Sequence, residues 1–585
     1  MLWQKNFFSR TVCFSLIILF INSVSLASNS EIAPELATGV SGKPLVYAKH
    51  AMVVTNNPWA SKAALEILEQ GGNATDAAIA AGFVLGLTEP QSSGIGGGGY
   101  ALAYTKAAKQ LVVFDGRETA PGSATPNWFL DNKQNPISFK KAMFSAKSIG
   151  VPGEVALFYK MHQSCGRLPW SNLMQPAINL ARKGFPMSPR LYVLLKSDQE
   201  LLPKNPAIKS IYFTPDGQVK AIGTKVINLE YAHSLELIAK DPQIFYSGVL
   251  GTDIVNKVNQ IAGQQLYQIQ DLTKYKVITT KALCSNYRKY TICSIPPSSS
   301  GGITLLELMK IYANQYTGHN YNDLNWVYNF LEASKLAYAD RNQYIADPRF
   351  VPQPVVGLLA NNYISSRSKL IDKQALIPPV AAGMPLGVNP KYAPDLSPKQ
   401  HGTTSVAVVD RQGNAISMTI TIEHQFGSHV FVDGFFLNNE LSDFSFIPND
   451  TTGRPIANRI EAGKRPRSSI ASAMVFNKDN QLQVIAGSPG GNQIICYVAK
   501  NLIQILDFNL DVARAAASPN LCATNDNPEV EIGTNLLEQT KPLQAKGELI
   551  IPTELVSGET NIAKAKNGGW YGAADPRREG IALGN

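Results

Sequence analysis

From Ala415 to Ile422 polar and apolar side chains alternate, with Ser417, Thr419 and Thr421 on one side and Ile416, Met418, Ile420 and Ile422 on the other. A period of two predicts a β-strand. Ser405–Asp410 reads as a second strand, and Arg411-Gln412-Gly413 between them fits a three-residue hairpin loop with Gly413 left-handed. If Asp410 and Asn414 close that loop, paired residue numbers sum to 824, which sets Thr403 opposite Thr421 and places Thr419, Thr421 and Glu423 on one face.

Helical patterning dominates elsewhere. "PWASKAALEILEQGG" carries Ala64, Leu65 and Leu68 on one face and stops at Gly71-Gly72. "NATDAAIAAGFVLGLTEP" has Thr75 or Asp76 as its expected cap and no polar residue from Ala77 to Leu87, which predicts a buried helix too short to cross a bilayer. The glycine run "SSGIGGGGYALAYT" precedes a strand and lacks a following Gly-Lys-Ser/Thr, so it predicts close backbone packing at a strand edge rather than a phosphate loop. From about 155 to 380 the chain is mostly helical, clearest in "IVNKVNQIAGQQ" and "LNWVYNFLEASKLAYADRNQYIADP". Residues 390–402, "PKYAPDLSPKQHG", are polar and proline-containing, a loop.

Composition narrows the class. A chain of 585 residues, 44% hydrophobic and 17% charged, is globular and too long for one small core. Lys5 and Arg10 flank the start of the apolar run Val12–Ile21, and Ser25-Leu26-Ala27 offers a cleavage site; residues 1–27 read as a secretory signal without a membrane anchor in the mature form. Losing Lys5 and Arg10 lowers the net charge from +9 to +7, and the remaining basic residues are dispersed, which argues against nucleic acid as a partner. Cys284 and Cys293 bracket eight residues and form a candidate hairpin clip in an oxidising compartment. No Cys or His cluster has metal-site spacing, so no metal or other cofactor is expected.

A threonine-rich strand face alone means only β propensity. Three downstream stretches add chemistry: "NNELSDFS", "GKRPRSSIASAMV" and "VIAGSPGGNQIICYVAKNLIQIL" place an acid, two hydroxyls and two glycine N–H groups near expected strand ends. Together with "GGNATDAAIA", "DGRETAP", "GVPGE", "PPSSSGG", "AYADRNQYIADP" and "GGWYGAADPR", they make the chain resemble the γ-glutamyltransferases, members of the N-terminal nucleophile hydrolases, over nearly its whole mature length. The resemblance implies an α/β fold, a four-layer αββα sandwich built from two chains cut from one proenzyme. It places the cut between Gly402 and Thr403, giving a large subunit, 28–402, and a small catalytic subunit, 403–585, paired as a heterodimer.

The chemistry fits that junction. A threonine hydroxyl needs a neighbouring base, and an α-amino group of pKa about 7.7 to 8.0 becomes one only after the chain is cut. By resemblance, Thr421 bonds the nucleophile's hydroxyl, Arg117 grips the substrate α-carboxylate, and Asp443 receives the α-ammonium group with Glu440 as a second polar contact. Ser468 and Ser469 complete the carboxylate site, and Gly490 and Gly491 form the oxyanion hole. Two features depart from the family pattern: Glu423 stands where many relatives have asparagine, and 446–463 is a short lid without its closing tyrosine, which predicts a more open pocket. The expected reaction moves a γ-glutamyl group from glutathione or a related compound to water or to an amino acid or dipeptide acceptor, in a periplasmic or secreted setting. Glutaryl or cephalosporin acylase chemistry, poly-γ-glutamate cleavage and an uncut binding protein stand as alternatives.

Overall fold

The computed structural model describes residues 42–395 and 402–585; the expected signal, 1–27, and the stretch 396–401 before the junction lie outside them. Two seven-stranded antiparallel sheets lie face to face. The first runs in the order Ile581–Gly584, Met52–Thr55, Thr404–Val409, Ala415–Thr421, Gly98–Thr105, Gln110–Gly116 and Ile278–Lys281. The second runs Val46–Ala48, Trp570–Ala574, Thr560–Lys564, Leu482–Ala486, Ala473–Phe476, Tyr290–Ser294 and Leu283–Tyr287. Helices Pro58–Glu69, Ala74–Thr88 and Glu154–Cys165 cover the first sheet, and Gly301–Gln315, Ile494–Leu506 and Val512–Ala517 cover the second. This is the expected αββα layering.

The alternation read from the sequence explains how the central hairpin serves two cores. Thr404 pairs with Ile420 and Val409 with Ala415, the register that sums to 824, and Asp410 N–H donates to the Asn414 carbonyl with Gly413 at φ 82°. Val406, Val408, Ile416, Met418 and Ile420 enter the core beneath the first helical layer. Ala407, Val409 and Ala415 enter the core of the second sheet and its helices. Polar members of that inner face find partners across the gap: Ser405 with Thr560 at 2.9 Å, Thr419 with Ser472 at 3.1 Å and Ser417 with the Ala486 carbonyl at 3.1 Å. Buried hydroxyls are thereby satisfied, as burial demands. Strands from both sides of Thr403 interleave in both sheets, so 42–395 and 402–585 share their cores.

Several local expectations shift. The buried helix is capped by Asn73 rather than Thr75 or Asp76, because Asn73 Oδ1 accepts from both their N–H groups while Asp76 returns a bond to Asn73 N–H, a full capping box. Helix Pro58–Glu69 buries Ala60, Ala63, Ala64 and Ile67, leaving Leu65 and Leu68 at its margin. The glycine run packs backbone closely, though inside the sheet and not at its edge: a Cβ on Gly97 would lie 2.0 Å from the Thr421 carbonyl oxygen, and one on Gly99 2.3 Å from that of Thr419. Cys284 and Cys293 do pair, directly opposed across their hairpin. A second disulfide, Cys496–Cys522, had no local signature. Among the described residues no helix is long and apolar enough to cross a membrane.

Candidate active site

Thr403 directly precedes the strand Thr404–Val409, which lies between Met52–Thr55 and Ala415–Thr421 in the interior of the first sheet. Its carbonyl accepts from Arg578 Nη1 at 2.7 Å. The pleat sends the two adjacent threonines to opposite faces. Thr404 Oγ1 turns to the helical side and donates to Glu89 Oε2 at 2.9 Å, while Ser405 N–H is fixed by Asn56 Oδ1 at 2.7 Å. Thr403 and Thr421 line a narrow cavity between the sheets. With the chain continuous, Thr421 Oγ1 donates to the carbonyl of Gly402 at 3.3 Å and accepts from Glu423 N–H at 2.8 Å. Gly402 has φ 122°, and a Cβ there would lie 1.8 Å from the Glu423 carbonyl oxygen.

The cavity brings eight of the sequence-predicted residues together: Arg117, Thr403, Thr421, Glu423, Asp443, Ser468, Ser469 and Gly491. Arg117 follows the strand Gln110–Gly116 and is held on every side. Its N–H donates to Asp115 Oδ1 at 2.9 Å, its carbonyl accepts from Tyr275 and from Arg465 Nε, and its guanidinium pairs with Glu440 and Asp443. Glu440 is not among the residues that line the cavity, although its carboxylate lies within 4.8 Å of those of Glu423 and Asp443. Gly490 and Gly491 lie where strand Leu482–Ala486 passes into helix Ile494–Leu506, at φ 134° and 57°. Those values favour glycine, and a Cβ on Gly490 would also lie 2.4 Å from the Tyr497 ring.

One guanidinium faces an excess of acid. Burial raises Asp443 to about 6 against the pull of Arg117, and raises Glu118 to about 8. Burial first, then the charge of Asp443, holds Glu423 well above the usual carboxyl range. Near neutral pH the cluster therefore retains protons that an incoming cation can displace. Oxygens of Glu423, Glu440 and Asp443 lie within 4.8 Å of one another, and among the described residues this is the one carboxylate, Cys or His grouping with metal-like spacing. Arg117 already supplies a cation to two of the three.

Ser468 Oγ accepts from Ile470 N–H at 3.1 Å; Ser469 Oγ donates to Asn492 Oδ1 at 3.0 Å and accepts from Arg341 Nη2 at 2.7 Å. Arg341, Asn492, Asn56, Glu89 and Arg578 were not singled out as site residues. Two carried a signal: Arg341 belongs to "AYADRNQYIADP", and Asn492 directly follows "GSPGG".

The expected openness is absent while Gly402 and Thr403 remain joined. The cavity leaves only about 10 Å³ of room for a water-sized sphere, and Thr403 is 3% exposed. The short segment 446–463 packs down over this end. Phe446 stacks on Phe129, Ile456 bridges to Ala393, and Asn458 Nδ2 donates to the Asp443 carbonyl at 2.7 Å.

The gamma-glutamyltranspeptidase family model matches residues 60–585. The chain is 34% identical over 558 residues to the glutathione hydrolase proenzyme of Escherichia coli K12, covering 93% of this chain and 94% of that protein. It is 33% identical over 556 residues to the glutathione hydrolase proenzyme of Bacillus subtilis 168, covering 93% and 92%. Among solved structures, cephalosporin acylase from Bacillus halodurans superposes with a TM-score of 0.81 at 26% identity, covering 95% of this chain and 99% of that one. Helicobacter pylori gamma-glutamyltranspeptidase superposes with a TM-score of 0.52 at 31% identity, covering 60% and 95%. By sequence across nearly its whole length, and with the αββα architecture to match, this chain belongs to the gamma-glutamyltranspeptidase family.

Proposed function

We propose that the chain is a self-cleaving glutathione hydrolase and γ-glutamyltransferase with Thr403 as nucleophile. The observation that carries this reading is the single cavity in which Thr403 meets Arg117, Asp443 and the Ser468–Ser469 pair. An α-amino acid head group requires one cation with hydroxyl donors for its carboxylate and acids for its ammonium group; this wall offers both beside a hydroxyl.

In the precursor, Thr403 Oγ attacks the Gly402 carbonyl carbon. The acyl group passes from nitrogen to oxygen, and water cleaves the ester, leaving a carboxylate on Gly402 and a free amine on Thr403. The Thr421 hydroxyl on the Gly402 oxygen polarises that carbonyl. Shared cores keep the two pieces, 28–402 and 403–585, together as a heterodimer.

In the cut enzyme the Thr403 amine takes the proton from its own Oγ, which attacks the γ-carbonyl carbon of the substrate. Negative charge developing on that oxygen is met by the N–H groups of Gly490 and Gly491. The leaving amine departs with the proton, and water or an acceptor amine then cleaves the γ-glutamyl ester and restores Thr403. The substrate ammonium group displaces protons from the Asp443–Glu423 pair, and its α-carboxylate lies against Arg117, Ser468 and Ser469. Glutathione is the assigned substrate because the relatives from Escherichia coli and Bacillus subtilis are named for its hydrolysis. The basic and apolar leader 1–27 supports export to the periplasm or beyond.

The superposition on a cephalosporin acylase favours one competing reading, a glutaryl-type acylase. Glutaryl groups lack the ammonium that the acid cluster suits. Purified cut protein is expected to hydrolyse γ-glutamyl-p-nitroanilide at least about tenfold more efficiently than glutaryl-p-nitroanilide, the scale of one charged hydrogen bond. The reverse preference would replace the present reading with the acylase one.

A further inference from the structure

We infer that Arg341 is a positioning and specificity residue: it aims the Ser469 hydroxyl at the substrate α-carboxylate and delivers positive charge to it through that hydroxyl. The inference rests on the reading of the site as a γ-glutamyl pocket.

Arg341 projects from the long helix Asn325–Tyr344 and is 4% exposed. Four of its five guanidinium N–H groups have partners. Nε donates to Ser300 Oγ at 2.8 Å, Nη1 to Asn342 Oδ1 at 2.9 Å, and Nη2 to Ser469 Oγ at 2.7 Å and Asn492 Oδ1 at 3.1 Å. Every one of these acceptors is neutral. The buried arginines Arg117, Arg465, Arg467 and Arg577 each pair with at least one carboxylate, whereas among the described residues Arg341 has none within 4.0 Å. Asp395 and Asp443 act on it only from a distance; a buried cation with no carboxylate in direct contact is costly, and such a residue makes sense where a negative charge arrives from outside. Burial, then the neighbouring Arg467, lowers its pKa to about 9, so it remains charged at neutral pH.

The geometry converts that charge into direction. A serine hydroxyl has one proton and accepts through its lone pairs. With Arg341 Nη2 on the acceptor side, the Ser469 proton must point away from the guanidinium. In the empty site it goes to Asn492 Oδ1. When a carboxylate enters, the proton swings to it, and Asn492 Oδ1 keeps its bond from Arg341, so no buried polar atom is orphaned. Ser300 extends the same control to the neighbouring serine: its Oγ accepts from Arg341 Nε and donates to the Ser468 carbonyl at 2.6 Å. Arg117 cannot fill this role alone, because its guanidinium is already shared between Glu440 and Asp443.

The test compares inhibition of the cut enzyme by L-glutamate and by 4-aminobutyrate, which keeps the amine and lacks the α-carboxylate. In Arg341→Met the inhibition constant for L-glutamate is expected to rise roughly 10- to 100-fold, the scale of a lost charge-assisted hydrogen bond. That for 4-aminobutyrate should stay within about twofold, and KM for γ-glutamyl-p-nitroanilide should rise far more than kcat falls. Arg341→Lys, which keeps the charge, should recover part of the L-glutamate affinity, and it carries the test alone if the methionine variant fails to fold or to cut itself. Equal changes for both inhibitors, or a fall in kcat at constant KM, in whichever variant is soluble and cut, would overturn the inference. Unaltered protein that hydrolyses no γ-glutamyl anilide would instead remove the underlying reading.

Discussion

Asp443→Asn isolates the charge on which ammonium recognition depends. Asp443 is 2% exposed, pairs with Arg117 and titrates near 6 in the empty site because burial outweighs the guanidinium. A raised carboxyl pKa means the group is neutral below about pH 6 and charged above it, so recognition is lost as pH falls through that value. The free amine of Thr403 must also be unprotonated, and its ordinary pKa is about 7.7 to 8.0. The logarithm of kcat/KM should therefore fall with slope one below about pH 7.7 and with slope two below about pH 6. Unit charges 4 Å apart at an effective dielectric of 20 interact by about 4 kcal/mol, and Glu423 shares the ammonium group, so about 2–4 kcal/mol rests on Asp443. This corresponds to a plateau roughly 30- to 1,000-fold lower in Asp443→Asn, at about 1.36 kcal/mol per decade. The variant should retain only slope one. Profiles from pH 5 to 9 with γ-glutamyl-p-nitroanilide, checked by recovery of activity at pH 7.5, provide the assay. A variant that keeps slope two, or the wild-type plateau, would refute the assignment of Asp443.

Gly402→Ala should slow self-cleavage by roughly 100-fold, since its Cβ would stand 1.8 Å from the Glu423 carbonyl and the scissile carbonyl must move about 1 Å to escape; a time course on denaturing gels measures this, and a wild-type rate would contradict it. Thr404→Ala should still cut, because its hydroxyl faces Glu89 on the other side of the strand; complete failure to cut would give that hydroxyl a share in the chemistry. Replacing Cys496 and Cys522 with serine removes a link across 26 residues, worth about 3.5 kcal/mol on chain-entropy grounds. The expected result is faster thermal inactivation with near-normal kcat at 25 °C; an unchanged inactivation half-life would contradict it.

Local and periodic features were legible in the sequence. The hairpin register around Thr403 followed from a three-residue loop and strict alternation, because a one-residue slip would turn every polar side chain of the inner face outward. Arg117, Asp443, Ser468 and Ser469 were recognisable only through ordered motifs, since residues 117 and 443 meet by a fold-level juxtaposition that no spacing encodes. Arg341 lay in a quoted motif, yet its contact with Ser469 spans 128 positions and depends on two helices and a sheet being assembled. The Asn73 cap was misplaced for a different reason: Asn, Thr and Asp in 73–76 are all competent caps, and only the reciprocal bond between Asn73 and Asp76 decides among them. The descent of 446–463 over the cavity rests on the Asn458 and Ile456 contacts, which its length does not reveal.

The central claim is that scission before Thr403 creates the catalytic base. N-terminal sequencing of the smaller piece of active protein tests it most directly. A fragment of 183 residues beginning Thr-Thr-Ser-Val should appear in step with activity and be absent from Thr403→Ala. Full activity in an uncut chain, or a small piece starting at any other residue, would contradict it.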